Sequence, residues 1–199
     1  MVLAYSHLRG IDGMMIDFYD YPDKVHEIFQ RLTTGYINKL KQIEHDGWLY
    51  NNVGNTFVGS VGLSPAMFHE FIFPYHRQVA ELFGLTCYAC CEPADPFWED
   101  IKTLHNLRRV SVSQWADAEK MSEYLGRDYV YSYKACSSDV AVPNMDEEHV
   151  RETLAHTLRH TQDNNVEIIL KDLHTIGGKP EQVFRWVEIL REEIARIYG

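Results

Sequence analysis

Apolar positions recur at helical spacing over residues 22–44, where Val25, Ile28, Phe29, Leu32, Tyr36, Ile37 and Leu40 predict a long amphipathic helix with Pro22 in its first turn. "WLYNN" (48–52) reads as a short strand. "SPAMFHEFIFPYHRQVAELFG" opens with Ser64 as N-cap and Pro65 at the first helical position, and stops at Gly84. Pro74 inside it predicts a kink or a division, because proline lacks the amide a helix interior needs. "LTCYACC" reads as the next strand, and a helix runs from about Asp95 to Leu104. "RRVSVSQ" (108–114) is β-like, and "ADAEKMSEYLG" is a short helix ending at Gly126. "YVYSYKA" (129–135) alternates as a strand, and "MDEEHVRETLAHTLRHTQ" is amphipathic with Asp146 as its cap. "VEIILKDL" (166–173) is the most apolar strand, and "KPEQVFRWVEILREEIARIYG" is the last helix.

Strand followed by helix, repeated without a hairpin signal, predicts a parallel α/β architecture. No Gly-x-Gly-x-x-Gly or Walker-type loop follows a strand, so a nucleotide-binding fold has no support. The remaining common solution is a TIM-barrel-like (β/α)8 fold, which usually takes about 250 residues. About five parallel βα units in 199 residues predict an incomplete barrel, a single domain over 1–199 forming its C-terminal portion. The opening "MVLAYSHLRGIDGMM" reads as loop and helix before any strand, which favours a missing N-terminal portion. An open barrel exposes strand edges, so a homo-oligomer or a complementing N-terminal chain is expected.

Composition narrows the partners. Apolar residues make up 45% and charged residues 24%, enough for a packed core. The net charge of −10 disfavours nucleic acid and anionic membrane, since phosphates need a basic footprint. No apolar run approaches the roughly 20 residues of a membrane span. The N-terminus lacks the basic start and apolar run of a signal peptide. A cytoplasmic, reducing location is therefore expected, where clustered cysteines point to metal binding or catalysis.

Three of the four cysteines fall in "TCYACCEP", and parallel β/α folds place their ligands beyond the C-terminal strand ends. Five strand ends then matter. The first carries Asn51, Asn52 and Asn55, and the second Cys90, Cys91 and Glu92. The third carries Ser113, Gln114 and Trp115, with Asp117 beyond. The fourth carries Lys134, followed by Cys136, Ser137 and Ser138. The fifth carries Lys171 and Asp172, followed by His174.

Cys90, Cys91 and His174 are candidate metal ligands, with Glu92 or Cys136 as a third donor, and the donor set suits zinc. On an extended strand only one of the two adjacent cysteines faces the mouth. Glu92, Lys171 and Asp172 are candidate catalytic groups; Asn51, Asn52, Gln114, Trp115 and Lys134 are candidate substrate contacts. Plainer roles stand beside these. Cys87 reads as an inert packing residue. Lys171 with Asp172 reads equally as a strand-end ion pair, Asn51 and Asn52 as turn formers, and His174 as a loop hydrogen-bonder. His69, His76, His149, His156 and His160 lie on predicted helices and are expected at the surface.

"RGIDGMMIDFYDYPDKVHEIFQRLT", "FGLTCYACCEP", "LRRVSVSQWADAEKMSEYLGRDYVYSYK" and "IILKDLHTIGGKPEQVFRWVEILREE" together resemble the uroporphyrinogen decarboxylase superfamily, most closely its methyltransferase-like branch. The likeness runs from about Arg9 to the C-terminus and covers the later part of the family's barrel. The resemblance implies one of two chemistries. The decarboxylases act on a porphyrinogen without metal or cofactor, and their arginine-rich loop and catalytic aspartate would precede Met1. The corrinoid-linked methyltransferases bind zinc through His-x-Cys and a later cysteine, and methylate a thiol. Here the first motif reads Tyr88-Ala89-Cys90, and His174 stands at the later position. Few cations line the strand ends, so the resemblance favours zinc-dependent methyl transfer from a corrinoid, with a corrinoid protein as partner. Porphyrinogen decarboxylation and a non-catalytic barrel fragment are the alternatives.

Overall fold

The computed structural model describes residues 1–43, 63–82 and 84–199. Four strands are described there, β1 (Thr86–Tyr88), β2 (Leu107–Ser113), β3 (Val130–Ala135) and β4 (Asn165–Leu170), in the order β1-β2-β3-β4. Pairing is parallel in β1–β2 and in β3–β4, with helices between the strands, as the strand–helix alternation predicts. The predicted strand 48–52, with Asn51 and Asn52, lies outside the described residues. The chain divides into two compact units, Met1–Ser111 and Val112–Gly199, with the division inside β2.

The first unit opens with three helices, α1 (Val2–Arg9), α2 (Ile11–Asp20) and α3 (Pro22–Ile43). Gly10 links α1 to α2 at φ +77°, a left-handed conformation that suits a residue without Cβ. The Tyr5 hydroxyl donates to Asp17 Oδ2 at 2.6 Å, and Arg9 Nε donates to the same oxygen at 2.8 Å. Hydrogen bonds from Arg9, then from Tyr5, hold the Asp17 carboxyl below its usual range. Burial, then the bond to Asp17, pushes the Tyr5 hydroxyl up to about 12. In α3, Val25 and Phe29 follow each other at one helical turn and are fully buried. Phe29 meets Tyr5 and Tyr75 edge-on, at 5.6 and 5.5 Å between ring centroids.

The segment around Pro74 stays helical. Ser64 Oγ accepts from the Met67 amide, as an N-cap should, at the start of α4 (Pro65–Met67). A π-helical turn, Phe68–Ile72, follows, and α5 (Phe73–Ala80) continues it. The widened turn comes directly before Pro74, so the helix absorbs the missing amide without dividing. His76, predicted at the surface, is 6% exposed on the same stripe as Phe68, Ile72 and Val79. The predicted helix 95–104 is shorter, a 3-10 turn (Asp95–Phe97) leading into α6 (Trp98–Ile101).

In the second unit, Asp117 caps α7 (Ala118–Leu125) by accepting from the Lys120 amide, and Asp146 caps α8 (Glu147–His160) through the His149 amide. Val150, Leu154 and Leu158 recur one turn apart on α8 and are buried. They share the unit's interior with Trp186 and Ile189 of α9 (Pro180–Tyr198). Arg185 pairs with Glu147 of α8 and with Glu192 on its own helix. Arg151 of α8 pairs with Glu192 and with the buried Glu193. Gln182, 8% exposed, donates to the Val140 and Val142 carbonyls at 3.1 and 2.8 Å and accepts from the Met145 amide at 2.8 Å. One buried side chain thus satisfies three backbone groups of a loop that has no secondary structure to do so.

Candidate functional site

β1 is shorter than the sequence predicts. It ends at Tyr88, so Cys90 and Cys91 lie in the bend after the strand, where strand alternation no longer decides which way they point. Burial separates them: Cys90 is 3% exposed, whereas Cys91 and Glu92 are half-buried. The Glu92 amide donates to Cys90 Sγ at 3.4 Å, folding the bend back on itself before Pro93. Tyr88, at the expected histidine position, is a core residue. It is 1% exposed and meets the His76 ring edge-on at 6.0 Å. Burial, then the neighbouring Cys90, pushes its hydroxyl well above the ordinary tyrosine range.

Cys87 has a polar neighbour. In the β1–β2 register it stands opposite Arg109, and Arg109 Nη1 lies 3.5 Å from its sulfur. Cys87 is half-buried beside that guanidinium. Two segments separated by a helix had to be aligned before this pair could be seen.

The β3–β4 register sorts the second unit's strands into two faces. Partners in a parallel ladder point the same way, so Ser132, Lys134, Glu167 and Ile169 share one face. Tyr131, Tyr133, Ala135, Val166, Ile168 and Leu170 share the other. Lys134, a predicted substrate contact, is 8% exposed. Glu167 shares its face and was hidden in what reads as the most apolar strand, although a glutamate inside such a run is itself a signal.

β4 ends at Leu170, and Lys171 and Asp172 follow it. Lys171 Nζ lies 3.3 Å from Asp172 Oδ2, both side chains being well exposed, so the two form an ion pair. Asp172 adopts φ +61°, and its carbonyl accepts from Ser137 Oγ at 3.3 Å, tying the loops after β3 and β4 together. His174 is exposed. Thiol and carboxylate donors are chemically right for zinc. Among the described residues, however, no group of three or more His, Cys, Asp or Glu side chains could hold a metal ion. The described residues therefore do not assemble a zinc site, and no chemical step is routed through one.

Gln114 and Trp115 line a cleft of about 570 Å³ in the second unit. Tyr131 and Tyr133 of β3 and His149 and His156 of α8 line it as well. Burial, above all, raises both tyrosine hydroxyls. Cys136 also lines the cleft, 2.8 Å from Ser138 Oγ. The sequence placed Gln114 and Trp115 at a strand end but not the α8 wall, which needs the packing of helix on strand.

No helix among the described residues is long and apolar enough to cross a membrane. No curated protein matches the chain. The family model described as uroporphyrinogen decarboxylase matches residues 2–192, across both units. With four parallel strands and their intervening helices, that match fits an incomplete TIM-like barrel. The chain belongs to the uroporphyrinogen decarboxylase family.

Proposed function

We propose that this chain is an enzyme domain of the uroporphyrinogen decarboxylase superfamily that transfers a methyl group from a corrinoid to a thiol in the cytoplasm, with a corrinoid protein as its partner. The observation that carries the reading is the run Cys90-Cys91-Glu92 directly after β1, with Cys91 and Glu92 half-buried. Of the strand-end lysines read from the sequence, Lys171 is ion-paired with Asp172 and Lys134 is buried on a strand face. A decarboxylase for a substrate with many carboxylates needs several cations, whereas methyl transfer needs a nucleophile and a base.

As the sulfur–carbon bond forms, the acceptor thiol must lose its proton, and the electron pair of the broken methyl bond stays with the donor. In this reading Glu92 takes that proton and Cys91 borders the thiol. Because the described residues do not gather three donors, zinc enters as a quantity to be measured.

Elemental analysis of protein purified without a metal-affinity tag, beside the Cys90→Ala/Cys91→Ala variant, measures it. Roughly one zinc per chain, absent from the variant, would show that Cys90 or Cys91 holds a metal with donors that the described residues do not gather. No zinc in either protein leaves the thiol chemistry to Glu92 alone. The matching assay offers methylcobalamin with 2-mercaptoethanol to both proteins, and a porphyrinogen in parallel. Thiol methylation that the variant loses supports the proposal. Decarboxylation of the porphyrinogen, which the family model's own description favours, overturns it.

A further inference from the structure

The cleft between Trp115 and the β3 tyrosines has one-sided chemistry. Trp115, 73% exposed, is its open aromatic wall, and the buried rings of Tyr133 and Tyr131 lie behind its floor. Its carboxylates are Asp139 and Glu152, its imidazoles are His149 and His156, and no lysine or arginine is among its lining residues. A second hollow of about 270 Å³ shares Asp139 and adds Asp146, again without a lysine or arginine. Tyr131 is fully buried, and its hydroxyl has no hydrogen-bond partner among the described residues.

These walls select by charge. An anion would meet two carboxylates with no lysine or arginine to offset them, only the imidazoles of His149 and His156, so the walls favour a cation over phosphates and carboxylic acids. A bare metal ion lacks the donors it needs, since no three-donor group exists among the described residues. A primary ammonium carries a tightly held hydration shell that aromatic walls cannot replace. A methylated ammonium has an apolar surface over a full positive charge, which ring faces attract and carboxylates reinforce. At about 570 Å³ the cleft has the size of a small-molecule site.

We infer that the cleft lined by Trp115, Tyr131, Tyr133, Asp139 and Glu152 binds a small quaternary-ammonium compound. The inference rests on residues of the second unit and stands apart from the thiols of the methyl-transfer proposal.

Calorimetric titration of the full chain with choline, and with its uncharged carbon isostere 3,3-dimethylbutan-1-ol, tests it. Choline is expected to bind about tenfold more tightly, the worth of a cation over aromatic faces. Trp115 is 73% exposed and Glu152 is exposed, so Trp115→Ala and Glu152→Gln leave the fold intact. Each is expected to weaken choline binding several-fold while leaving the weak binding of the alcohol nearly unchanged. Equal affinity for choline and the alcohol overturns the inference. So does choline binding that survives both substitutions, or no choline binding at millimolar concentration.

Discussion

Burying an imidazole is tolerable only while it stays neutral. His76 illustrates the cost: desolvation, with the charge of the N-terminal ammonium second, lowers its pKa to about 3. The unfolded chain takes up that proton near pH 6.5, so below that pH the unfolded state binds more protons than the folded one. The stability His76 allows is therefore complete above about pH 6.5 and is lost as the pH falls toward 3. Between pH 7 and pH 5 the loss attributable to His76 is about 2 kcal/mol. Urea titrations at the two pH values should show a smaller difference for His76→Leu than for the natural protein, by about that amount. An equal difference in the two proteins would show that His76 is not buried and neutral. Its burial was legible in the sequence, because His76 follows Ile72 by four residues and precedes Val79 by three. Treating histidine as a surface residue by type obscured the stripe.

At the scale of elements, hydrophobic periodicity located the long helices well. The predicted helices 22–44 and 179–199 correspond to α3 (Pro22–Ile43) and α9 (Pro180–Tyr198). Caps at Ser64 and Asp146 formed as expected, since a short polar side chain before an apolar stripe has a local job to do. Strand ends were harder to read. Two strands stop before the polar residues assigned to them, Tyr88 before Cys90 and Leu170 before Lys171 and Asp172. Strand length depends on the neighbour that supplies the ladder, and one sequence does not show that neighbour. The Arg109–Cys87 contact and the shared face of Lys134 and Glu167 stayed hidden for the same reason: both are properties of register. Gln182 gives this scale its test. Gln182→Leu keeps the volume but leaves the Val140 and Val142 carbonyls and the Met145 amide without their partner. The expected loss in a urea titration is about 3 kcal/mol, and a loss below about 1 kcal/mol would show that water replaces all three bonds.

For the molecule as a whole, the fold class was readable because the alternation of strands and helices is a long-range pattern that tolerates local errors. The candidate site was readable only as a set of strand ends, since side-chain direction depends on where each strand stops. One exposed feature bears on assembly. In the order of the described strands β4 is terminal, and Val166, Ile168, Ile169 and Leu170 are only half-buried although the strand is strongly apolar. A terminal strand of this composition is a template for association, whether with another copy or with a complementary chain. Sedimentation velocity on the purified chain should give a multiple of 23.2 kDa, and a monomer at micromolar concentration would refute self-association through this strand.

Gln182 also links two parts of the chain that are distant in sequence. It stands in the first turn of α9, while the groups it satisfies belong to the loop after β3, whose residues Ser138 and Asp139 line the aromatic cleft. Loop and helix therefore open together or not at all, as one cooperative unit in hydrogen exchange. The Met145 amide should exchange at the rate of the α9 amides, well below that of an ordinary surface loop. Fraying of the C-terminal helix is thereby transmitted to the cleft as a change in how long its wall stays closed.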